Sequence, residues 1–169
     1  MSKSKDRKMQ IYQAAVKLIA EKGINNFSIN NVCEEANISK GGFIYYFPTK
    51  EKLLEGINQY INDFSRELIE KEAKKTKTFT EAYLLGNLKG YQTVEKIAYS
   101  ALINYYSEAE METLWRKFYS DVETNLLKEN SPEVARLIII LVDGLWLREN
   151  AGYSYESIKE SFEWLLKKV

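Results

Sequence analysis

The stretch from Ser28 to Lys50, SINNVCEEANISKGGFIYYFPTK, most constrains what this chain can become. It holds two short helical patterns joined by a tight polar turn. Each opens on a serine, a side chain able to accept a backbone N–H at a helix start. Ser28 precedes the apolar set Ile29, Val32, Cys33 and Ala36, spaced for one helix face. Asn37 falls at the turn, where asparagine tolerates the left-handed conformation. Ser39 opens the next pattern, in which Phe43, Ile44 and Phe47 are expected to point inward. Pro48 ends it, because the residue before a proline avoids the helical region. Thr49 then stands ready to cap another helix. A pair of helices of this kind can lay its second member in a DNA major groove.

The rest of the chain is also helical in period, with no convincing strand pair. Ile11, Ala14, Ala15, Leu18 and Ile19 give an apolar face to a first helix, which Gly23 can close after Lys22. A long fourth helix, 50–73, carries Leu53, Ile57, Ile61 (or Tyr60), Phe64 and Leu68 on one face. The polar run Lys74 to Thr78 reads as a connection. Five more helices are expected near 79–89, 93–105, 107–129, 132–150 and 154–168, punctuated by Gly90, Pro132 and Gly152. The expected fold is all-α, of about nine helices. Residues 1–49 form an N-terminal helix-turn-helix domain and residues 50–169 a helical body, with helix 50–73 linking the two.

Charge agrees with that division. The chain is neutral overall, yet residues 1–50 hold eight Lys/Arg against four Asp/Glu, a net +4, and the remainder carries −4. The basic end is where phosphate contacts would be made. With no histidine and a single cysteine, Cys33, the usual zinc ligands and catalytic bases are missing. No nucleophile elbow, phosphate loop or metal-ligand cluster appears, so no enzyme activity, metal or cofactor is expected. The longest apolar run, Leu137 to Val142, falls far short of the ~20 residues a bilayer requires. No signal peptide is evident, and a reducing cytoplasm fits the single thiol.

Several residues of the second and third helices could meet DNA. Gly41 and Gly42 allow a backbone to come close to a phosphate near a helix N-terminus. Lys40 could reach a base edge or a phosphate. Tyr45 and Tyr46 cannot both be buried beside Phe43 and Phe47, so at least one hydroxyl should face outward. Lys50 sits in the first turn of a helix, where a cation opposes the helix dipole unless an anion lies opposite. Ser28, Ser39 and Thr49 are caps first and phosphate donors second.

In the body, helix 132–150 is apolar nearly all round, so it must be buried nearly all round. Val134, Leu137, Ile138, Leu141, Val142 and Leu145 fill one face, with Ile139, Ile140, Trp146 and Leu147 over much of the rest. Together with Ile158, Phe162, Leu165 and Leu166 they are expected to form a four-helix interface about a two-fold axis in a homodimer. A thick monomer core is the competing explanation. Phe64, Tyr83, Tyr91, Tyr99, Tyr105, Trp115, Phe118, Tyr119 and Trp146 are candidates to line an apolar cavity with polar tips, as are Tyr106 and, as a charge, Glu95 or Glu112. Asp143 needs a partner, which Arg148, Arg136 or a cationic ligand could supply.

Residues 8–54 resemble the DNA-binding domain of the TetR/AcrR family of regulators. The likeness rests on Ile11, Ala14-Ala15, Leu18-Ile19, Gly23, Ser28-Ile29, Val32-Cys33, Ala36 to Gly41, Tyr46-Phe47-Pro48, Lys50-Glu51 and Leu53. Where many members carry a phosphate-contacting tyrosine this chain has Ile44, which moves the expected contact to Tyr45 and Tyr46. Asp143 to Arg148 resembles a segment of the BetI-like branch of that family. The resemblance implies a dimeric repressor released from a palindromic, double-stranded DNA operator by a small-molecule effector, with no membrane association. A helical adaptor that binds protein and has no DNA site is the alternative.

Overall fold

The computed structural model describes residues 3–91, 93–103, 108–147 and 154–168. Helix α1 spans Lys3–Lys22, and one turn of 3-10 helix follows at Ile24–Asn26. Then come α2 (Ile29–Glu35), α3 (Lys40–Tyr46), α4 (Lys50–Ala73), α5 (Phe79–Gly90), α6 (Val94–Ile103), α7 (Glu108–Leu126), α8 (Pro132–Leu147) and α9 (Tyr155–Leu166). No strand occurs among the described residues.

The starts and stops follow the local chemistry. Gly23 takes φ 73°, a conformation open to glycine, and its N–H donates to the Ile19 carbonyl. The Ser28, Ser39 and Thr49 hydroxyl oxygens accept from the N–H groups of Asn31, Gly42 and Lys52 at 3.2, 3.0 and 3.2 Å. Asn37 is left-handed at φ 49°, and beyond it the Ile38 N–H reaches back to the Cys33 carbonyl, closing α2. Helix α5 is capped from a distance: the Glu129 carboxylate accepts from the N–H groups of Phe79 and Thr80 and from the Thr80 hydroxyl, at 2.7, 2.9 and 2.7 Å. Burial would raise the Glu129 pKa, but these three donors hold it below its ordinary value.

A continuous core runs from Ile11, Ala15, Val32, Phe43 and Phe47 at one end, through Leu53, Leu54, Ile57 and Ile61 of α4, to Tyr83, Tyr99, Trp115, Phe118 and Trp146 at the other. Helix α4 therefore belongs to both ends. Its most extensive partner is α5, and Gly86 shows why the two lie so close: a Cβ there would stand 3.0 Å from the Ile69 Cα and backbone N. Backbone cannot swing aside as a side chain can. Gly86→Val is expected to destabilise the fold by about 3 kcal/mol, read as a lower urea midpoint by circular dichroism. An unchanged midpoint would mean that α5 can back away at no cost.

Helix α8 corrects the expected interface. Ile138 and Val142 turn inward with Ala135 and Trp146, and Ile158 and Phe162 of α9 are likewise buried in the monomer core. Val134, Leu145, Leu165 and Leu166 are half-buried. The outward stripe is Leu137 and Ile140, each 65% exposed, with Leu141, and Trp164 of α9 is 61% exposed. The half-and-half division has a simple cause. With apolar residues on every side, the inner face is set by whichever neighbours arrive, here α6 and α7.

Candidate nucleic-acid interface and body cavity

Phe43 and Phe47, one turn apart, fix the inner face of α3; both are buried and their rings lie 5.9 Å apart. Gly41 and Tyr45 lie opposite them and Ile44 on the flank, and Lys40, in the first turn, is exposed as well. Ile44 is thus 50% exposed rather than inward, which overturns the expectation for it; Tyr45 is 81% exposed. Tyr46 is half-buried with its ring edge-on to Tyr45 at 5.0 Å. A shallow depression beside them is lined by Ser4, Asp6, Arg7 and Gln10 of α1, so the basic start of the chain flanks α3. A Cβ added at Gly41 would meet nothing within 4 Å, whereas one at Gly42 would come 3.2 Å from the capping Ser39 oxygen. Nothing inside the fold calls for glycine at position 41.

The remaining predicted contacts have internal work. Ser28, Ser39 and Thr49 accept as caps; the hydroxyl protons of Ser28 and Ser39 can be donated outward, while that of Thr49 goes to the Glu51 carboxylate. Lys50 is half-buried. Its ammonium donates to the Phe27 carbonyl at 3.1 Å and lies 5.3 Å from the Phe27 ring centroid. In place of an outside anion, the fold supplies an inside carbonyl and a ring face. Cys33 is buried, and burial raises its thiol pKa. Lys17 of α1 pairs with Glu35 of α2 at 2.7 Å, tying the two helices together.

In the body, α4 to α8 line a small, partly open space of about 20 Å³. Six of the predicted aromatics line it: Tyr83, Tyr99, Trp115, Phe118, Tyr119 and Trp146. Phe64 and Tyr91 do not; Tyr91 instead stacks on Tyr155 at 6.5 Å. Tyr105, Tyr106 and Arg148 lie outside the described residues, as does the Glu112 side chain. Glu95 is elsewhere, accepting from the Tyr60 hydroxyl at 3.0 Å. Ser65, Asn87 and Val142 join the lining unforeseen, and Asp143, weighed in the sequence as a partner for an arginine or a cationic ligand, lies in it too. The first two bond backbone carbonyls one turn back on their own helices.

Asp143 brings the carboxylate to the lining. It accepts from the Tyr119 hydroxyl at 2.9 Å, and burial pushes its pKa from 3.8 up to about 6. Burial and its charge also raise the phenol of Tyr99 to about 12, and those of Tyr83 and Tyr119 further. Arg136, one expected partner, pairs with Glu133 at 3.7 Å instead. The indole N–H groups of Trp115 and Trp146 are buried without a hydrogen-bond partner among the described residues. Among the described residues there is no cluster suited to a metal ion, and no helix is long and apolar enough to cross a membrane.

A three-helix head with α2 and α3 in this relation defines a helix-turn-helix DNA-binding regulator. Residues 11–57 match the sequence profile of bacterial regulatory proteins of the tetR family. The HTH-type transcriptional regulator BetI of Vibrio atlanticus (strain LGP32) is 32% identical over 158 residues, covering 84% of this chain and 79% of that one. A structure from Rhodococcus sp. assigned to TetR-family regulators superposes with a TM-score of 0.79 at 24% identity, covering 98% of both chains. The multidrug binding protein EbrR complexed with malachite green is similar at TM-score 0.67 and 20% identity, over 95% of this chain and 98% of that one. The chain belongs to the TetR family of transcriptional regulators.

Proposed function

We propose that this regulator is a homodimeric repressor that leaves a near-palindromic operator when a small molecule enters the body cavity. Residues 1–49 act as the DNA-binding head and residues 50–169 as the body that dimerises and binds the effector. The observation that carries the reading is the outer face of α3, where Lys40, Gly41, Ile44 and Tyr45 stand free of the core that their neighbours Phe43 and Phe47 build. Two such faces in successive major grooves would be ~34–36 Å apart.

The contacts divide by chemistry. Lys40, Ile44 and Tyr45 face base edges, the Ile44 side chain suiting a thymine methyl group. Gly41 and Gly42 bring backbone near phosphate, Ser28, Ser39 and Tyr46 donate hydroxyl protons to it, and Thr49 does so once its proton leaves the Glu51 carboxylate. Lys50 adds a phosphate contact only with the ammonium hydrogens that Phe27 does not use.

Release follows from how α6 is held. Tyr99 of α6 lines the cavity, and Ser100 donates to the Trp146 carbonyl at the end of α8 at 2.7 Å. The same helix packs on α1 of the head, and its Glu95 is bound by Tyr60 of α4. A molecule that parts the cavity walls therefore shifts a helix on which the head rests. The similar EbrR, a multidrug binding protein, supports a ligand-binding body. The ligand has to favour the released shape over the DNA-bound one, or nothing moves.

The test is to recover fragments from sheared genomic DNA with the purified protein and to map the half-sites. Replacing a contacted thymine by uracil, which removes one methyl group, is expected to weaken binding about five-fold (roughly 1 kcal/mol). Ile44→Ala should abolish that difference. Recovery of no preferred fragment by a folded protein in dilute salt would leave the helical adaptor as the better reading.

A further inference from the structure

Buried polar side chains of the body find hydrogen bonds: Asn62, Ser65, Glu72, Thr80, Asn87 and Ser100 each have one. Asn58 does not. It is 0% exposed, and neither its amide nitrogen nor its carbonyl oxygen has a partner among the described residues. With both atoms unpartnered, turning the amide end for end changes nothing. Packing this complete leaves no room for a water beside them.

The place of this defect gives it meaning. Asn58 lies on α4, the helix shared by head and body, and its neighbours Leu54 and Ile61 on the same face are apolar and buried. Asn62 and Ser65 continue that face, and Ser65 lines the body cavity. At the other end of α4, Lys50 is held by the Phe27 carbonyl of the head. A leucine has the same branched outline as asparagine and no group that needs a partner. Packing of this kind favours it. The asparagine therefore weakens this placement of α4, because a buried amide forgoes the hydrogen bonds it would make with water.

We propose that Asn58 is a positioning residue that keeps α4 poised between two placements. In the present one the body space is only about 20 Å³ and the carboxamide is unpaired. In the other, α4 has moved far enough for the carboxamide to reach water or a backbone group. The unpaired amide takes stability from the first placement alone. The two then lie close in free energy, and an effector needs only a modest preference to move the heads. This rests on the reading of the chain as an effector-released repressor whose empty body holds the operator, and it names the residue that sets the balance.

Wild type, Asn58→Leu and Asn58→Asp are compared on the operator recovered from genomic DNA and on a duplex carrying one half-site of it. The leucine variant is expected to bind the full operator about three-fold more tightly, because more of the protein starts in the binding placement. Aspartate demands hydration, and its variant should bind the operator at least about ten-fold more weakly than wild type. A half-site sets no distance between heads. Wild type and the leucine variant should bind it alike, and the loss from aspartate should be smaller there. Asn58→Val, one atom smaller, stands in if leucine crowds the fold. A folded leucine or valine variant with wild-type operator affinity, a weaker one, or a gain of equal size on the half-site overturns the proposal and leaves the repressor standing. If no operator is recovered, the repressor fails instead, and hydrogen exchange tests Asn58 by itself. Slower exchange over 54–62 in the leucine variant, with α7 unchanged, is expected; equal slowing of both helices, or none, overturns the proposal.

Discussion

Ile140→Glu is expected to yield a folded monomer that binds its operator at least about a hundred-fold more weakly at equal chain concentration. Ile140 and Leu137 are among the most exposed large apolar side chains of the body, and Leu141 follows on the same face. Gly144, one turn beyond Ile140, has open space where a Cβ would stand, which lets a second helix approach. Ile140, Leu141 and Gly144 thus share one outward stripe of α8, beside Trp164 of α9. In a two-fold interface each residue appears twice, so one substitution sets two carboxylates into an apolar seam. The cost falls on association and not on folding, because position 140 already faces solvent in the monomer. Operator affinity then drops because one head must bind a half-site without its tethered partner. Sedimentation at micromolar concentration and a gel shift on the recovered operator check both parts. A dimer that survives the substitution would move the interface away from this stripe.

The head is legible in the sequence because its signals are local. A capping hydroxyl at Ser28, Ser39 or Thr49, an asparagine at a left-handed turn and a proline after Phe47 act on the few residues beside them. The failures are tertiary. Ile44 reads as inward because it is apolar, yet Phe43 and Phe47 already fix the inner face of a seven-residue helix. Lys50 finds its partner 23 residues earlier, at a carbonyl that no pattern near position 50 announces. The aromatic cavity is foreseeable as a set but not in full. Phe64 is absent from the lining while its neighbour Ser65 joins it, a difference of one residue that rotates a helical side chain by ~100°. In α8, an apolar pattern with no polar side has no phase, so the sequence could not tell Ile138 from Leu137.

Asp143→Asn is expected to make the ligand-free protein more stable at about pH 7.5, by about 1–2 kcal/mol. The sign comes from the direction of the shift. Burial lifts the folded-state pKa from 3.8 to about 6, so the native state holds a proton that the unfolded chain releases. Stability therefore falls as pH rises from about 4 to about 6, and the loss is complete above that window. A shift of this size corresponds to about 3 kcal/mol at most. Asparagine keeps the shape and can still accept the Tyr119 hydrogen, but its amide N–H group needs a partner of its own, which returns part of the gain. Among the described residues, the groups facing Asp143 are the phenols of Tyr119 on α7, Tyr99 on α6 and Tyr83 on α5, none of which titrates in that window. Thermal unfolding at matched protein concentration should thus show a variant a few degrees more stable near neutrality and no advantage below about pH 4. A wild type that is the more stable protein at neutral pH would mean the folded chain already supplies Asp143 with a cation.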